Sequence, residues 1–248
     1  MIPKKIHYCW FGKNTIPEDV QRCIDSWKKY MPDYEIIQWD ESNYNIEENI
    51  DYVQEAYSQK KWAFVSDYAR LDIIHKNGGI YLDTDVEVIK PFDQLLKHQA
   101  FFGMEEPGRV NTGLGFGAEK NSEILTQLME LYKDLHFYHK NRMNNMTCVD
   151  LALPIFKEWG VTEKNSVHRI NNSAIVYPTE YFCPKNFSGK GKISENSYSI
   201  HHYSSSWKES SIFGKEKVVL KIFLRKHINK FFGSGTYEKI KNNLKGKV

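Results

Sequence analysis

The sequence has little cysteine, and what it has is scattered: Cys9, Cys23, Cys148 and Cys183 show neither the density of a disulfide framework nor a paired metal-ligand spacing. All four read as reduced, ordinary thiols. Long hydrophobic runs are missing too. The longest late run, Val218 to Leu224, is interrupted by Lys221 and falls far short of the roughly 20 apolar residues needed to span a bilayer. The start, Met1-Ile2-Pro3-Lys4-Lys5, passes straight into a strand-like segment, which leaves no room for a signal peptide and sets the expectation of a cytoplasmic protein. In that compartment the acceptor-type tripeptides at Asn145, Asn171 and Asn186 carry no information. There is no internal repeat and no low-complexity linker, and nucleic acid is not among the expected partners.

What is present is the composition of a globular domain. Of 248 residues, 41% are hydrophobic, 26% charged and 14% aromatic, enough to bury a full core in one large α/β domain. Net charge is +3, unevenly spread: the last 34 residues hold ten Lys or Arg against Glu216 and Glu238, or +8, so the first 214 carry −5. The expected organisation is a catalytic domain over 1–214 and a basic helical tail over 215–248.

Hydrophobic periodicity predicts a strand at 5–11, a helix at 17–30 and a strand at 34–39. Helices are predicted at 46–57 and 63–76, the second stopped by Gly78-Gly79. Short strands follow at 80–82, 86–89, 100–103 and 113–117, then helices at 121–132 and 149–159, late strands at 174–177 and 198–203, and helices at 215–231 and 237–244.

Asp83-Thr84-Asp85 directly follows the apolar Ile80-Tyr81-Leu82. Two carboxylates at the end of a buried strand sit where α/β proteins place ligands, and they suit Mn²⁺ or Mg²⁺. A divalent ion there can bridge the phosphates of a nucleoside diphosphate and neutralise its charge as it departs. An isolated Asp-x-Asp is more often a solvated turn; the buried strand delivering it favours function. Asp67 and Arg70 share a face of the preceding helix, as an intrahelical ion pair, as groups that hold a sugar donor, or as both. Of His201 and His202, adjacent on a strand, one can face a metal bound by the Asp pair; two ordinary half-buried histidines are the plainer reading. Trp10 could stack on a base or serve the core.

Four ordered segments resemble glycosyltransferase family 32. They are Ile2-Pro3-Lys4-Lys5-Ile6-His7-Tyr8-Cys9-Trp10, Ala63-Phe64-Val65-Ser66-Asp67-Tyr68-Ala69-Arg70, Gly78-Gly79-Ile80-Tyr81-Leu82-Asp83-Thr84-Asp85, and His201-His202-Tyr203-Ser204-Ser205-Ser206-Trp207. The resemblance implies a GT-A fold, a Rossmann-like α/β sandwich that binds a nucleotide sugar and a divalent metal and transfers a hexose with retention of configuration. By carry-over, Trp10 stacks on the base, Asp67 and Arg70 hold the donor sugar, and Asp83 meets ribose or sugar together with the metal. Asp85 is the primary metal ligand, with His202 chosen over His201 by its spacing from Trp207; Ser205 and Trp207 contact the β-phosphate. Asn111 and Asp150 fall where donor or acceptor contacts are expected.

The resemblance also implies front-face substitution without a covalent nucleophile. UDP is the expected nucleotide, with GDP as the alternative; the expected acceptor is a glycan, such as a lipid-linked oligosaccharide of surface polysaccharide or capsule synthesis. The basic tail, with Val218, Val219, Ile222 and Phe223 beside Lys217, Lys221, Arg225 and Lys226, suits peripheral docking on an anionic membrane as well as packing on the domain. Two rival functions, a sugar nucleotidyltransferase and a non-catalytic carbohydrate-binding protein, are disfavoured by the poor phosphate loop at Gly12-Lys13-Asn14 and by the presence of both aspartates.

Overall fold

A computed structural model of the chain describes residues 1–139 and 142–203. The expected tail at 215–248, and the expected contacts Ser205 and Trp207, lie outside the described residues.

The chain opens with β1 (Lys5–Cys9), α1 (Glu18–Tyr30) and β2 (Glu35–Trp39), the strand–helix–strand order read from the sequence. Val20, Cys23, Ile24 and Trp27 are the buried residues of α1, spaced as one helical face, and Glu18, Asp19, Lys28 and Lys29 complement the helix dipole at its two ends. Next comes α2 (Asp51–Ser58), which starts later than the apolar pattern from Ile46 suggests. Asn45 Oδ1 accepts from the Glu48 amide at 3.2 Å and Asn49 Oδ1 from that of Ile50 at 3.0 Å, side-chain bonds that hold 46–50 in turns.

Every residue from Phe64 to Ile74 in α3 (Trp62–Asn77) is buried, as expected of a helix with apolar residues on all sides. Asp67, Arg70 and Asp72 are carried inside with them. Gly78 ends the helix with φ 66° and donates its amide to Ile74 O at 2.7 Å, a positive φ that glycine adopts without strain. Then follow β3 (Gly79–Tyr81), β4 (Val86–Val88), a short 3₁₀ turn at Asp93–Leu95, β5 (Ala100–Glu106), β6 (Arg109–Val110) and β7 (Phe116–Ala118). After them come α4 (Glu123–Glu130), β8 (Tyr138–His139), β9 (Arg142–Met143), α5 (Cys148–Glu158), β10 (His168–Ile170), β11 (Ala174–Tyr177), α6 (Thr179–Phe182) and β12 (Ser199–His201).

The main sheet runs β10-β11-β5-β7-β3-β1-β2, with β6 added to β5. β1 is parallel to β2 and β3, whereas β7 runs antiparallel to β3 and β5. Helices cover both faces, so the central strands are apolar on both sides: Ile80 and Leu82 join one core cluster and Tyr81 the other, and Phe101 and Phe102 divide in the same way. β12 pairs antiparallel with β4, separately from the main sheet. α1 fixes β4 in turn, since Trp27 Nε1 donates to Val86 O at 2.7 Å and the Val88 amide to Ser26 Oγ at 2.9 Å.

His7 is fully buried on β1 and links its neighbours. Trp39 Nε1 donates to His7 Nδ1 at 3.0 Å, so the ring proton sits on Nε2 and is donated to Gly78 O, also at 3.0 Å. A second proton on Nδ1 would confront the indole N–H. Burial pushes the imidazole down to about 4, with the Gly78 bond opposing. His7 therefore holds β1, β2 and the start of β3 together as a neutral ring. A Cβ on Gly79 would come within 2.9 Å of His7 Nε2, which leaves this position to glycine.

Candidate active site

Leu82 is buried and its amide donates to His7 O at 3.1 Å, so β3 leaves the sheet beside the carboxyl end of β1. A turn follows, closed by the Val86 amide on Asp83 O at 3.0 Å, and it sets Asp83, Thr84 and Asp85, each half-buried, at the edge of the core. The β12–β4 ladder then brings a histidine to them. His201 Nε2 lies 3.1 Å from Asp85 Oδ1, and ligand atoms of Asp83, Asp85 and His201 fall within 4.8 Å of one another. Two carboxylates and an imidazole are the donor set of a site for Mn²⁺ or another borderline divalent cation. His201 Nδ1, buried without a hydrogen-bond partner among the described residues, marks the ring as polar capacity held in reserve.

His202, the histidine expected there, is turned away. Its Nε2 meets Glu87 Oε2 at 2.8 Å and the side chain is exposed. Strand alternation sends His201 and His202 to opposite faces of β12: His202 falls on the face of Glu87, and His201 on the other, where it meets Asp85 in the turn that precedes β4.

Arg70 organises the floor. Its Nη2 is 3.1 Å from Asp67 Oδ1 and 3.2 Å from Asp83 Oδ1, so the intrahelical pair and the link to the DXD segment coexist. Its Nε donates to Ser66 O at 3.0 Å, its Nη1 lies 3.4 Å from Thr112 Oγ1 and 3.9 Å from Cys148 Sγ, and the guanidinium sits 5.0 Å from the centre of the Tyr81 ring. Burial opposes its charge, but Asp83, Tyr81 and Asp67 outweigh that and hold it firmly protonated. Thr112, Cys148 and Tyr81 were not singled out from sequence; Cys148, read as an ordinary thiol, is pushed well up by burial beside Asp67.

Burial also raises Asp83, against Arg70, and lifts Asp67 to about 6 even though Arg70 opposes it. The two buried groups, Asp67 and His7, act with opposite signs on stability. Asp67 has a raised folded pKa, so its contribution is present below its ordinary value of 3.8 and is lost as pH climbs through about 6. His7 has a lowered folded pKa, so its contribution is present above 6.5 and is lost as pH falls through about 4. Each is worth about 3 kcal/mol, and between pH 6.5 and 4 they nearly cancel. Asp67→Asn removes one arm: from pH 7 to 4 the stability of the variant, by urea unfolding, is expected to fall relative to that of the wild type by about 3 kcal/mol. Equal pH slopes for the two proteins would refute this balance.

Asn111 and Asp150 lie close to this floor, though not with free side chains. Asn111 Nδ2 donates to Glu105 Oε2 at 3.0 Å and its Oδ1 accepts from the Gly113 amide at 2.7 Å. Asp150 Oδ1 accepts from Arg109 Nη2 at 2.7 Å in the first turn of α5, where its amide donates to the Thr147 hydroxyl at 3.1 Å. Trp10, at the carboxyl end of β1, is half-buried; its Nε1 donates to Asn14 O at 2.7 Å, and it lines a cleft of about 350 Å³ with Asn14, Gln38 and Asp40.

Residues 17–102 match the family model described as a glycosyltransferase sugar-binding region containing a DXD motif, and Asp83-Thr84-Asp85 falls inside the match. The chain carries that DXD region. Mannosyl phosphorylinositol ceramide synthase of Saccharomyces cerevisiae is 27% identical over 223 residues, covering 84% of this chain and 53% of that protein. Inositol phosphoceramide mannosyltransferase 3 of Schizosaccharomyces pombe is 30% identical over 135 residues, 52% of this chain and 36% of its own length. The chain thus spans about half the length of the first of these relatives and about a third of the second. The solved PaToxG glycosyltransferase aligns over 63% of this chain and 67% of its own, with a TM-score of 0.50 and 21% identity, which identifies the fold as the Rossmann-like GT-A type. The resemblance to glycosyltransferase family 32 read from the four sequence segments is borne out by the DXD region and these relatives. Among the described residues, no helix is long and apolar enough to cross a membrane.

Proposed function

We propose that the chain is a metal-dependent glycosyltransferase that moves a hexosyl group from a nucleoside-diphosphate sugar to a glycan or glycolipid acceptor. The observation that carries this reading is the convergence of Asp83, Asp85 and His201 above the buried Arg70–Asp67 pair. Asp85, Asp83 and His201 would hold Mn²⁺ or Mg²⁺, with His201 in the place first given to His202. The bound cation would supply a Lewis acid that screens the diphosphate.

The rest is work for the chain's own groups. Asp67, buried and oriented by Arg70, accepts hydrogen bonds from hydroxyls of the donor sugar. Arg70 keeps Asp67 and Asp83 in fixed positions and supplies positive charge beneath the carboxylates. Trp10 offers its ring to the base at the cleft beside Asp40, and Ser205 and Trp207 are proposed to meet the β-phosphate. Rate enhancement would come from holding donor and acceptor in contact and from fixed charges around the departing diphosphate, with retention of configuration.

UDP is the expected nucleotide. The names of the fungal relatives, a mannosyl phosphorylinositol ceramide synthase and an inositol phosphoceramide mannosyltransferase, support a second reading with a GDP-linked mannose and a lipid-borne acceptor. A thermal-shift panel of UDP- and GDP-sugars separates the two. One nucleotide class should raise the melting temperature in the presence of Mn²⁺ and lose that effect with EDTA. No shift from either class, with and without metal, would overturn the proposed function.

A further inference from the structure

We propose that Glu105 and Asn111 are positioning residues for the carboxylate of Asp83, acting through the backbone of Gly113; this rests on the reading of Asp83, Asp85 and His201 as a metal site. Three hydrogen bonds run in series. Asn111 Nδ2 donates to Glu105 Oε2 at 3.0 Å, the Gly113 amide donates to Asn111 Oδ1 at 2.7 Å, and the Asp83 amide donates to Gly113 O at 3.2 Å.

The carboxamide of Asn111 has a donor end and an acceptor end, and only one orientation satisfies both neighbours. Glu105, which accepts and cannot donate when ionised, determines which end faces it. The carbonyl oxygen of Asn111 is thereby directed at Gly113. Gly113 has no Cβ, and the space a Cβ would fill is taken by Asp83 Oδ2, so the carboxylate rests directly against this stretch of backbone. A shift of Gly113 moves both the amide anchor of Asp83 and the wall its carboxylate leans on.

The far end of the series is also fixed. The Asn111 amide donates to Gly103 O at 3.1 Å, which ties the loop to β5, and Arg109 Nε stands 3.9 Å from Glu105 Oε1 while its Nη2 pairs with Asp150. Asp85 is reached by a separate route, through His201 on β12. The two aspartates of the motif are therefore aimed by independent parts of the fold. Asn111, with both ends of its amide engaged inside the protein, acts behind the ligand; residues so placed typically change metal affinity 10–100-fold when altered.

The test is Mn²⁺ binding by the full-length protein without nucleotide or acceptor, followed by electron paramagnetic resonance, with thermal melting measured in parallel. Asn111→Ala and Glu105→Ala are each expected to weaken Mn²⁺ about tenfold, whereas Glu105→Gln, which keeps a side-chain carbonyl to accept from Asn111, stays within about twofold of wild type. Wild-type affinity in a folded Asn111→Ala or Glu105→Ala variant would overturn the proposal, as would equal losses in Glu105→Gln and Glu105→Ala. If Asn111→Ala fails to fold, the two Glu105 variants decide. Absence of Mn²⁺ binding by the wild type would instead overturn the metal-site reading itself, and the proposal with it.

Discussion

Asp85→Asn is expected to lower metal-dependent turnover by at least about 10³-fold, the scale of several kcal/mol of charge stabilisation, with the fold unchanged. Asp85 is partly exposed and held by His201 at the edge of the site, so an amide of the same shape fits without opening the core. The substitution removes a charged oxygen from the proposed metal site and leaves Asp83 and His201 in place. Near-normal activity together with a wild-type melting temperature would contradict the assignment. The same measurement on the two histidines separates their roles: His201→Ala should weaken Mn²⁺ binding, and His202→Ala should leave it near wild type, because His202 is paired with Glu87 on the other face.

Arg70→Met carries the largest expected loss of stability. Both partners, Asp67 and Asp83, stay in a largely desolvated floor when the guanidinium is removed, and an uncompensated buried charge typically costs about 3–5 kcal/mol. Urea unfolding at pH 7 should register a loss of that size. The variant should recover stability as the solution is acidified, since Asp67 and Asp83, already raised by burial, would lose the cation that opposes that rise and could be buried as neutral acids. Arg70→Lys should restore little, because an ammonium cannot reproduce the fork that reaches Asp67, Asp83, Thr112 and Ser66 together. An unchanged unfolding midpoint in Arg70→Met would show that the pair is solvated and does not support the site.

Much of this arrangement is written locally. The apolar run into Asp83 announced a buried strand, Gly78-Gly79 announced the end of a helix, and the spacing of Asp67 and Arg70 placed them on one face; all three features hold in the structure. Other features depend on contacts between distant segments, to which sequence spacing is blind. Spacing from Trp207 pointed to His202, whereas the pairing of β12 with β4 puts His201 beside Asp85. Cys148 carried no local sign of its position against Arg70, 78 residues earlier in the chain. Asn111 stood out, but its partner Glu105 did not, because the bond between them exists only once β5 and β6 have paired. The late start of α2 was concealed by an apolar pattern that Asn45 and Asn49 interrupt through side-chain bonds to the backbone.

Asp83, Asp85 and His201 are proposed to hold a divalent cation for transfer from a nucleotide sugar. The most direct measurement is release of nucleoside diphosphate from UDP- and GDP-sugars by the full-length protein, with Mn²⁺ and with EDTA. Release is expected from one nucleotide class, with a requirement for Mn²⁺, loss in EDTA and loss in Asp85→Asn. Release that proceeds equally in EDTA, or in the Asp85→Asn protein, would contradict the proposal.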